Sequence, residues 1–383
     1  MAKIVRIGVI GCGEIAHHLV SLIIGSRYPS HPPIDSQESF LRHTAKSARR
    51  LVRRLIKGTA PTATEAMWSG IAGAEIVAAA DVDHGGRDKF CMRFGISESS
   101  SDYTELLVRK DVDAVLICVP PFLHKEIAVA AARAGKHIYC EKPMAMTSLE
   151  CQQMIDAAKA ANVVLQIGYV LRFSSERGRI REIILKGKLG RPVFYRELSN
   201  PSAGPRQVWV HNESTGRGPL WENSHVFDFL RYIFGEPESV VGVGLKCKPG
   251  ATDAIDTIGV LVSFRDGDKA LFAESYGLKG FGWDKRACRS NLCQIDVLGP
   301  KGWAQFPERD NSQTLTVSTY GTNGDEMEKF AWSSDWGADG YMAELEHFFE
   351  CVRDGKPTRM PGEEGMKTIL VCEAVAKSIL GQP

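Results

Sequence analysis

The chain has 383 residues, of which 47 are Lys or Arg and 46 are Asp or Glu, so that its net charge is +1. Its hydrophobic fraction of 44% excludes a disordered chain. The balanced charge argues against binding to nucleic acid or a membrane surface through overall charge, and the length is typical of two domains.

The sequence predicts a cytoplasmic protein. The first predicted strand starts at Ile4, which leaves no room for a signal peptide, and no apolar run approaches the roughly 18 residues of a membrane span. The ten cysteines include no Cys-x-x-Cys pair, and the closest two, Cys288 and Cys293, lack two further ligands at suitable spacing. We therefore expect reduced cysteines, no metal, and neither nucleic acid nor membrane as a partner.

A glycine-rich turn follows the first predicted strand. Residues 4–10 form a short apolar run that leads into Gly-Cys-Gly-Glu-Ile-Ala and then into a helix. Gly11 permits a tight turn, Gly13 lets the backbone approach a pyrophosphate, and the small Ala16 lets the helix pack closely on its strand. The pattern predicts a dinucleotide-binding turn. Its candidate cofactor ligands are Gly11, Gly13, Glu14, Ile15 and Ala16.

A second predicted strand, residues 74–80, ends at Asp81. In dinucleotide-binding folds an acidic residue at this place accepts hydrogen bonds from the adenosine ribose. An enzyme for NADP would usually carry Arg or Lys directly after the strand, whereas this chain has Val-Asp-His. The sequence therefore favours NAD as the cofactor. Two alternatives stay open: Arg87 is long enough to reach a 2′-phosphate, and Asp81 could be an ordinary turn residue.

The segment between the glycine turn and Asp81 is longer than usual, because residues from about 25 to 70 are inserted. Within it, apolar residues at helical spacing run from Leu41 to Ile56, and arginines and lysines occupy the other side. No base-stacking aromatic residues interleave these basic residues. We expect the insertion to be a subunit contact or a local brace, on the side of the sheet away from the cofactor.

Two further predicted strands end at the edge of the sheet where ligands bind. Residues 114–119 are followed by a Pro-Pro-Phe-Leu-His turn, and residues 136–140 are followed by Glu-Lys-Pro. Pro143 fixes the turn, and Lys142 would offer an ammonium group to a substrate oxygen. A lone Lys-Pro pair can equally be a surface turn. The candidate cofactor ligands here are Val119, Pro120, His124, Glu141, Lys142 and Pro143.

Beyond residue 170 the pattern changes from alternating strands and helices to a run of strands, which argues for an antiparallel sheet. A helix is predicted at residues 219–234, after a loop at residues 200–217 that is rich in Pro, Gly, Ser and Arg. The strands are predicted near residues 238–247, 256–265, 269–277, 292–298 and 302–306. The loop offers four candidates for substrate recognition, although it could also be an exposed polar loop: Arg206, Trp209, His211 and Arg217.

The order of these motifs resembles the glucose-fructose oxidoreductase, inositol dehydrogenase and rhizopine catabolism family (Gfo/Idh/MocA). The resemblance rests on the segments 11–16, 120–124, 134–143, 166–173, 187–192 and 221–228. It implies an α/β Rossmann domain at residues 1–145, which carries the insertion. It also implies an α+β domain with an open, mostly antiparallel sheet at residues 146–383, whose terminal helix packs back on the first domain. A homo-oligomer, dimer or tetramer, is expected.

The resemblance further implies catalytic residues, and here the chain departs from the family. Members commonly pair the Glu-Lys-Pro lysine, Lys142 here, with an Asp and a His four residues apart on one helix. This chain keeps His225 but has Trp221 where the aspartate belongs. Glu222 lies three residues before His225, so it could share a helix face with the imidazole and orient or charge-balance it. Trp221 is either a stacking platform for a sugar ring or a packing residue.

The function implied is NAD-dependent hydride transfer between the nicotinamide and a secondary hydroxyl of a sugar, glycoside or cyclic polyol. His225 would take the hydroxyl proton, and Lys142 would stabilise the charge on the reacting oxygen. Tyr169, Arg172 and Trp209 are further candidate substrate contacts, together with Trp221. Two alternatives remain: a redox-assisted glycosidase or lyase that recycles NAD within the site, and a non-catalytic NAD-sensing regulator.

Overall fold

The protein is described by a computed structural model over residues 4–25, 70–199, 208–247, 253–277, 294–306, 314–322, 324–331 and 338–381. The predicted basic helix of the insertion, the candidate Arg206, and the pair Cys288 and Cys293 lie outside the described residues. Across the described ranges, no helix is both long enough and apolar enough to cross a bilayer.

The first sheet has six parallel strands in the order β3-β2-β1-β4-β5-β6. Its elements in chain order are β1 (Val5–Ile10), α1 (Glu14–Ile24), β2 (Ala74–Ala80), α2 (His84–Phe94), β3 (Ser99–Ser100), α3 (Tyr103–Leu107), β4 (Ala114–Ile117), α4 (His124–Arg133), β5 (His137–Glu141), α5 (Ser148–Ala161) and β6 (Leu165–Gly168). β1 and β4 are almost continuously apolar and buried, as expected of strands that helices cover on both faces.

The parallel sheet extends beyond residue 145, where the sequence placed the end of the first domain. β6 pairs with β5 from Ile138 opposite Leu165 to Glu141 opposite Gly168. The helix α5 connects these two strands, so it also belongs to the first domain. β6 was missed because it has only four residues, which is too short for a distinct sequence pattern.

The second sheet has eight strands in the order β14-β13-β12-β11-β7-β10-β9-β8, and only β7 and β10 pair in parallel. Its domain contains α6 (Ser175–Leu185), β7 (Phe194–Ser199), α7 (Gly218–Glu222), α8 (Ser224–Phe234), β8 (Ser239–Leu245), β9 (Thr257–Ser263), β10 (Lys269–Ser275), β11 (Gln294–Gly299), β12 (Gly302–Phe306), β13 (Thr314–Thr319), β14 (Glu326–Ala331), α9 (Ala338–Asp354) and α10 (Gly362–Ile379). The predicted combination of a Rossmann domain with an open, mostly antiparallel sheet is confirmed.

The terminal helix α10 contacts both domains. A Cβ on Gly242 of β8 would lie 2.8 Å from Ile379, so the helix packs directly on this strand of the second sheet. On its other side, Glu373 accepts hydrogen bonds from the backbone N–H and the hydroxyl of Ser148, at 2.8 and 2.9 Å. The helix therefore joins the open sheet to α5.

A buried ion pair fastens α6 to the second sheet. The Arg177 guanidinium donates two hydrogen bonds to the Glu197 carboxylate of β7, at 3.0 and 2.9 Å, and a third to the Tyr195 hydroxyl at 2.8 Å. Glu197 is fully buried, and the guanidinium also lies over the Phe229 ring of α8. A charge in this position depends on its partner, since little water reaches it to replace the lost interaction.

We predict that Glu197→Leu lowers the free energy of unfolding by about 3–5 kcal/mol, because it removes the hydrogen-bonded counterion of the buried Arg177 charge and leaves only Glu176, at 3.6 Å. Chemical denaturation would measure the loss. The control is Glu182→Ala, which breaks solvent-accessible pairs with Arg179 and Lys186 and should cost about 1 kcal/mol or less. A similar small change in both variants would contradict the prediction.

Candidate active site

The glycine turn leaves open space beside the start of α1. Gly11 has a φ of 91°, and a Cβ there would lie 2.7 Å from the backbone oxygen of Cys118, so the position requires glycine. A Cβ on Gly13, by contrast, would meet no atom within 4 Å. The space next to the first N–H groups of α1 therefore fits a pyrophosphate, as predicted for a dinucleotide.

The first turn of α1 divides its residues between this space and the core. Glu14 is exposed and Ile15 is half-buried, whereas Ala16 is fully buried. The small side chain of Ala16 allows the helix to lie close to the sheet. Glu14 and Ile15 thus remain accessible beside the turn, and Ala16 contributes through packing.

Asp81 holds the glycine turn against the end of β2. One carboxylate oxygen accepts the backbone N–H of Cys12 at 2.6 Å, and the other accepts that of Asp83 at 2.8 Å. A carboxylate has about four acceptor positions, so about two are left for ribose hydroxyls. Arg87 donates to the Asp81 backbone oxygen at 3.2 Å and contacts His84 Nδ1 at 3.0 Å. Arg87 would have to leave these partners to serve a 2′-phosphate.

His124 is buried between two loops instead of facing the cofactor space as predicted. Its Nδ1 lies 2.9 Å from the Pro143 backbone oxygen, and its Nε2 lies 2.8 Å from that of Val119. Burial lowers the pKa of His124, so the neutral ring donates to one carbonyl at a time. It connects the end of β4, where Val119 and Pro120 are half-buried, to the Lys142–Pro143 turn.

Glu141, another predicted cofactor ligand, is buried beneath this turn. Its Oε2 accepts the backbone N–H of Lys142 at 3.2 Å, and the Tyr139 hydroxyl lies 3.4 Å from its Oε1. Burial raises the pKa of Glu141 to about 7, although the positive charge of Lys142 acts in the opposite direction. The structure thus gives Glu141 a supporting position under Lys142 and no contact with the cofactor space.

The Lys142 ammonium group contacts α7 of the second domain. Its Nζ donates to the Glu222 carboxylate at 2.8 Å and to the Glu222 backbone oxygen at 2.9 Å. The two side chains keep 17% and 28% of their surface exposed, so the pair lies at the wall of a solvent-accessible space. The Glu222 carboxylate, which the sequence suggested as a partner of the His225 imidazole, instead forms an ion pair with Lys142.

The predicted helix at residues 219–234 is broken at Asn223. α7 ends at Glu222 and α8 begins at Ser224, because Asn223 has φ −94° and ψ 22° and caps both helices. Its side-chain amide donates to the Pro219 backbone oxygen at 3.1 Å and to the Tyr276 hydroxyl at 3.3 Å. Glu222 and His225 consequently do not share one regular helix face, although the break keeps them adjacent.

The imidazole of His225 is neutral in this arrangement. Burial, followed by the positive charges of Lys142 and Arg177, lowers its pKa well below the ordinary value. A hydrogen bond with the backbone of Glu222 acts in the opposite direction. Lys142 contacts Glu222, which lies three residues before His225, so the two predicted catalytic residues come close together from different domains.

Trp221 is a packing residue, which decides between its two predicted interpretations. Only 1% of its surface is exposed, and the Arg217 guanidinium lies 4.4 Å from the centre of its ring. Arg217 is thereby engaged within the protein. In the preceding 3-10 turn, Trp209 is half-buried, and His211 packs edge-on against Tyr276. Trp209 and His211 both keep part of their surface accessible near α7.

Tyr169 and Arg172 are also internal rather than exposed towards a substrate. Tyr169 is fully buried, at the start of a 3-10 turn that carries Arg172. Arg172 forms two hydrogen bonds to the Asp228 carboxylate, at 2.8 and 2.7 Å, and a third to Glu364 at 3.0 Å. Its charge is therefore used to join α8 to α10, and the motif that contains it supports the domain contact.

Sequence reasoning missed three residues beneath the site. The Tyr139 hydroxyl lies 2.9 Å from Glu344 Oε2, and Glu344 is fully buried on α9. Tyr341 lies one turn earlier on the same helix, and after burial the charges of Glu141, Glu344 and Glu222 raise its pKa. A signal was present: Glu344 is placed at helical spacing among apolar residues, which puts a carboxylate on the core face.

Among the described residues, no group of three or more His, Cys, Asp or Glu side chains is arranged to hold a metal ion.

Two family models match the chain. One describes an oxidoreductase family with an NAD-binding Rossmann fold and matches residues 54–169, and the other describes its C-terminal alpha/beta domain and matches residues 181–382. Together they match most of both domains, from residue 54 onwards.

Individual relatives support the same family. Myo-inositol 2-dehydrogenase of Thermotoga maritima is 30% identical over 292 residues, which are 75% of this chain and 83% of the relative. Levoglucosan dehydrogenase of Pseudarthrobacter phenanthrenivorans is 36% identical over 330 residues, with 75% and 83% covered. A solved structure of levoglucosan dehydrogenase with NADH and levoglucosan has a TM-score of 0.75 at 22% identity and covers 100% of this chain and 98% of its own, which shows a common fold.

The two matched segments follow one another as the Rossmann sheet from β2 to β6 and the open-sheet domain do in the structure. The glycine turn precedes the first matched segment, and the open space beside Gly13 fits the dinucleotide that this model describes. The chain therefore belongs to the Gfo/Idh/MocA family and is an oxidoreductase whose cofactor is NAD.

Proposed function

We propose that the protein oxidises a secondary hydroxyl of a sugar, glycoside or cyclic polyol. The observation that carries this proposal is the contact of Lys142 with Glu222, three residues before His225, whose pKa the Lys142 charge lowers in addition to burial. A positive donor and a neutral imidazole are thereby placed at one accessible wall, which is what removal of a hydroxyl proton requires. The relatives named for myo-inositol and levoglucosan support a cyclic substrate.

His225 takes the hydroxyl proton in the proposed reaction. Its depressed pKa keeps the imidazole neutral at neutral pH, so that it has a free lone pair for the proton. Lys142 carries three N–H donors, of which two bind Glu222. The third is left for the reacting oxygen, where it stabilises the negative charge as the carbonyl forms. NAD supplies the hydride acceptor when bound, held by Gly13 and Asp81.

Glu222 takes over the charge-balancing role that the aspartate has in other family members. Its carboxylate accepts one Lys142 donor at 2.8 Å, and its backbone oxygen accepts another at 2.9 Å. Both contacts fix the direction of the ammonium group, which leaves the remaining N–H aimed away from Glu222. Orientation of this kind contributes to the rate because the donor needs no rearrangement during reaction.

We propose a homo-oligomer that uses the open face of the second sheet. Val241, Val243 and Leu245 of β8 are exposed on this face, and Leu261 of β9 lies opposite Val241. α10 covers the other face of the same strands. A row of exposed apolar side chains on a sheet favours contact with a second copy of this chain.

The substrate class is tested by following NADH formation with purified protein, NAD and a panel of myo-inositol, scyllo-inositol, levoglucosan, glucose and methyl glycosides. We expect net NADH with at least one cyclic polyol or sugar. Product release from a glycoside without net NADH would support the redox-assisted lyase alternative. Binding of NAD without turnover of any member would support the regulator alternative.

We predict that His225→Asn and Lys142→Met each lower turnover by about 10²–10⁴-fold, because each removes a group of the proton-transfer step. NAD affinity, measured by calorimetry, should change little. Lys159→Met is the matched control, since Lys159 is exposed and pairs with Glu363; it should leave turnover unchanged.

In the same assay, Glu222→Gln should lower turnover at least about tenfold, because a neutral amide holds the Lys142 ammonium group more weakly than a carboxylate. Full activity of Glu222→Gln would remove Glu222 from the proposed mechanism. Full activity of His225→Asn would overturn the mechanism itself.

We predict that NAD binds at least about tenfold more tightly than NADP, because the Asp81 carboxylate would bind the ribose diol and repel a 2′-phosphate. Asp81→Ala should narrow this difference. Asp83→Ser is the control, since Asp83 caps α2 through its side chain and Ser keeps that function. Equal affinity of the unaltered protein for the two cofactors would contradict the role of Asp81.

A further inference from the structure

Two carboxyl groups and one phenol are buried together below the Lys142 turn. The Tyr139 hydroxyl lies 2.9 Å from Glu344 Oε2 and 3.4 Å from Glu141 Oε1. All three residues are buried. Glu344 Oε1 has no hydrogen-bond partner within the described part of the chain. A pair of carboxyl groups bridged by one phenol in such a place is not explained by packing alone.

The space around the hydroxyl is closely fitted. A Cβ on Gly168 of β6 would lie 2.8 Å from the Tyr139 hydroxyl and 3.3 Å from the Glu141 carboxyl group. Gln166 of the same strand donates to the Glu344 backbone oxygen at 2.9 Å. The titratable and charged groups that face Glu141 come from five elements or turns: Cys118, Tyr139, Cys140, Lys142, Glu222, Tyr341 and Glu344.

If both carboxyl groups were ionised, the phenol would hold the only proton available for hydrogen bonds among the three groups. A phenol has one O–H, which can be donated to only one carboxylate at a time, and two anions so close together in a buried site repel each other strongly. Tyr139 stays protonated, because burial and both glutamates raise its pKa well above the ordinary value. One carboxyl group therefore keeps a proton.

The positive charge of Lys142 determines which of the two carboxyl groups keeps the proton. Its positive charge acts on Glu141, whose pKa is about 7, whereas burial and the charge of Glu141 raise the pKa of Glu344 well above its ordinary value. Glu141 is thus the first to ionise as the pH rises. In that state the Glu344 acid donates to the Tyr139 oxygen, the Tyr139 hydroxyl donates to Glu141, and Glu141 accepts the Lys142 backbone N–H.

We propose that Glu141 is a positioning residue for the reaction: in its ionised form it holds the Lys142 turn, and Tyr139, together with a proton kept on Glu344, maintains that form. The ionised carboxylate accepts the Lys142 N–H more strongly than the neutral acid does and adds a negative charge beneath the ammonium group. The catalytic part of this proposal rests on the proposed function.

The consequence is an acid limit to catalysis that belongs to Glu141. Because the pKa of this carboxyl group is raised, the holding state is present above about pH 7 and is lost as the pH falls through that value. His225 titrates at lower pH, since its pKa is depressed. The two groups can therefore be separated in one profile.

The kinetic test measures kcat against pH with NAD and, in parallel, myo-inositol and levoglucosan. We expect an acid limb near pH 7 in the unaltered protein. Tyr139→Phe should move this limb upward by roughly half to one pH unit, because the ionised Glu141 loses a hydrogen bond. Glu141→Gln should remove the limb and lower the plateau. Tyr320→Phe, which removes an exposed hydroxyl, is the matched control and should change neither.

An infrared test needs no turnover. Difference spectra of the NAD complex should contain the C=O stretch of a protonated carboxylic acid at pH 8, and Glu344→Gln should remove it. The carboxylate band that Glu141→Gln removes should titrate near pH 7 and shift upward in Tyr139→Phe. Thermal melting would check that each variant is folded.

The outcomes separate this proposal from the proposed function. No acid band at pH 8, or an acid limb that neither Tyr139→Phe nor Glu141→Gln moves, would overturn the positioning role. If no polyol or sugar reduces NAD, the proposed function fails, whereas the infrared titration still decides whether Glu344 keeps the proton and Glu141 ionises.

Discussion

The contact between Lys142 and Glu222 is the interaction on which the site depends, because it joins the two domains. Lys142 follows the fifth strand of the Rossmann sheet, whereas Glu222 and His225 flank a helix break in the second domain. The ion pair keeps part of its surface exposed, so its contribution to stability is modest. Its main effect is on position, because it brings an ammonium group and an imidazole from distant parts of the chain close together.

Several buried contacts hold Lys142 and the helix break at Asn223 in place. From below, Glu141, Tyr139 and Glu344 connect the lysine turn to α9. From the side, the imidazole of His124 connects the same turn to the end of β4. In the second domain, Asn223 fixes the break between α7 and α8. Each contact is polar and buried, so losing one partner would leave another without a hydrogen bond.

Motifs predicted which segments form the site better than they predicted which side chains face it. The Glu-Lys-Pro segment does reach the second domain, yet Glu141 points into the core. The segment around Arg172 does lie near α8, yet its guanidinium binds Asp228. A motif marks a segment whose residues matter, but whether a residue matters for packing or for a ligand depends on neighbours that are remote in sequence. Glu344, for example, lies 205 positions from Tyr139.

The sequence by itself determined the order of the Rossmann motifs, the glycine turn, the acidic residue after β2 and most strands of the open sheet. These features depend on local periodicity and on backbone conformations that favour glycine or proline. Among the strands that the sequence did not predict, β6 has four residues and β14 has no buried face, whereas β7 and β13 have six residues each. Only the tertiary structure decided that Glu222 partners Lys142 and that Glu141 shares a buried cluster with Glu344. Burial and charge in these places come from chain segments that meet only after folding.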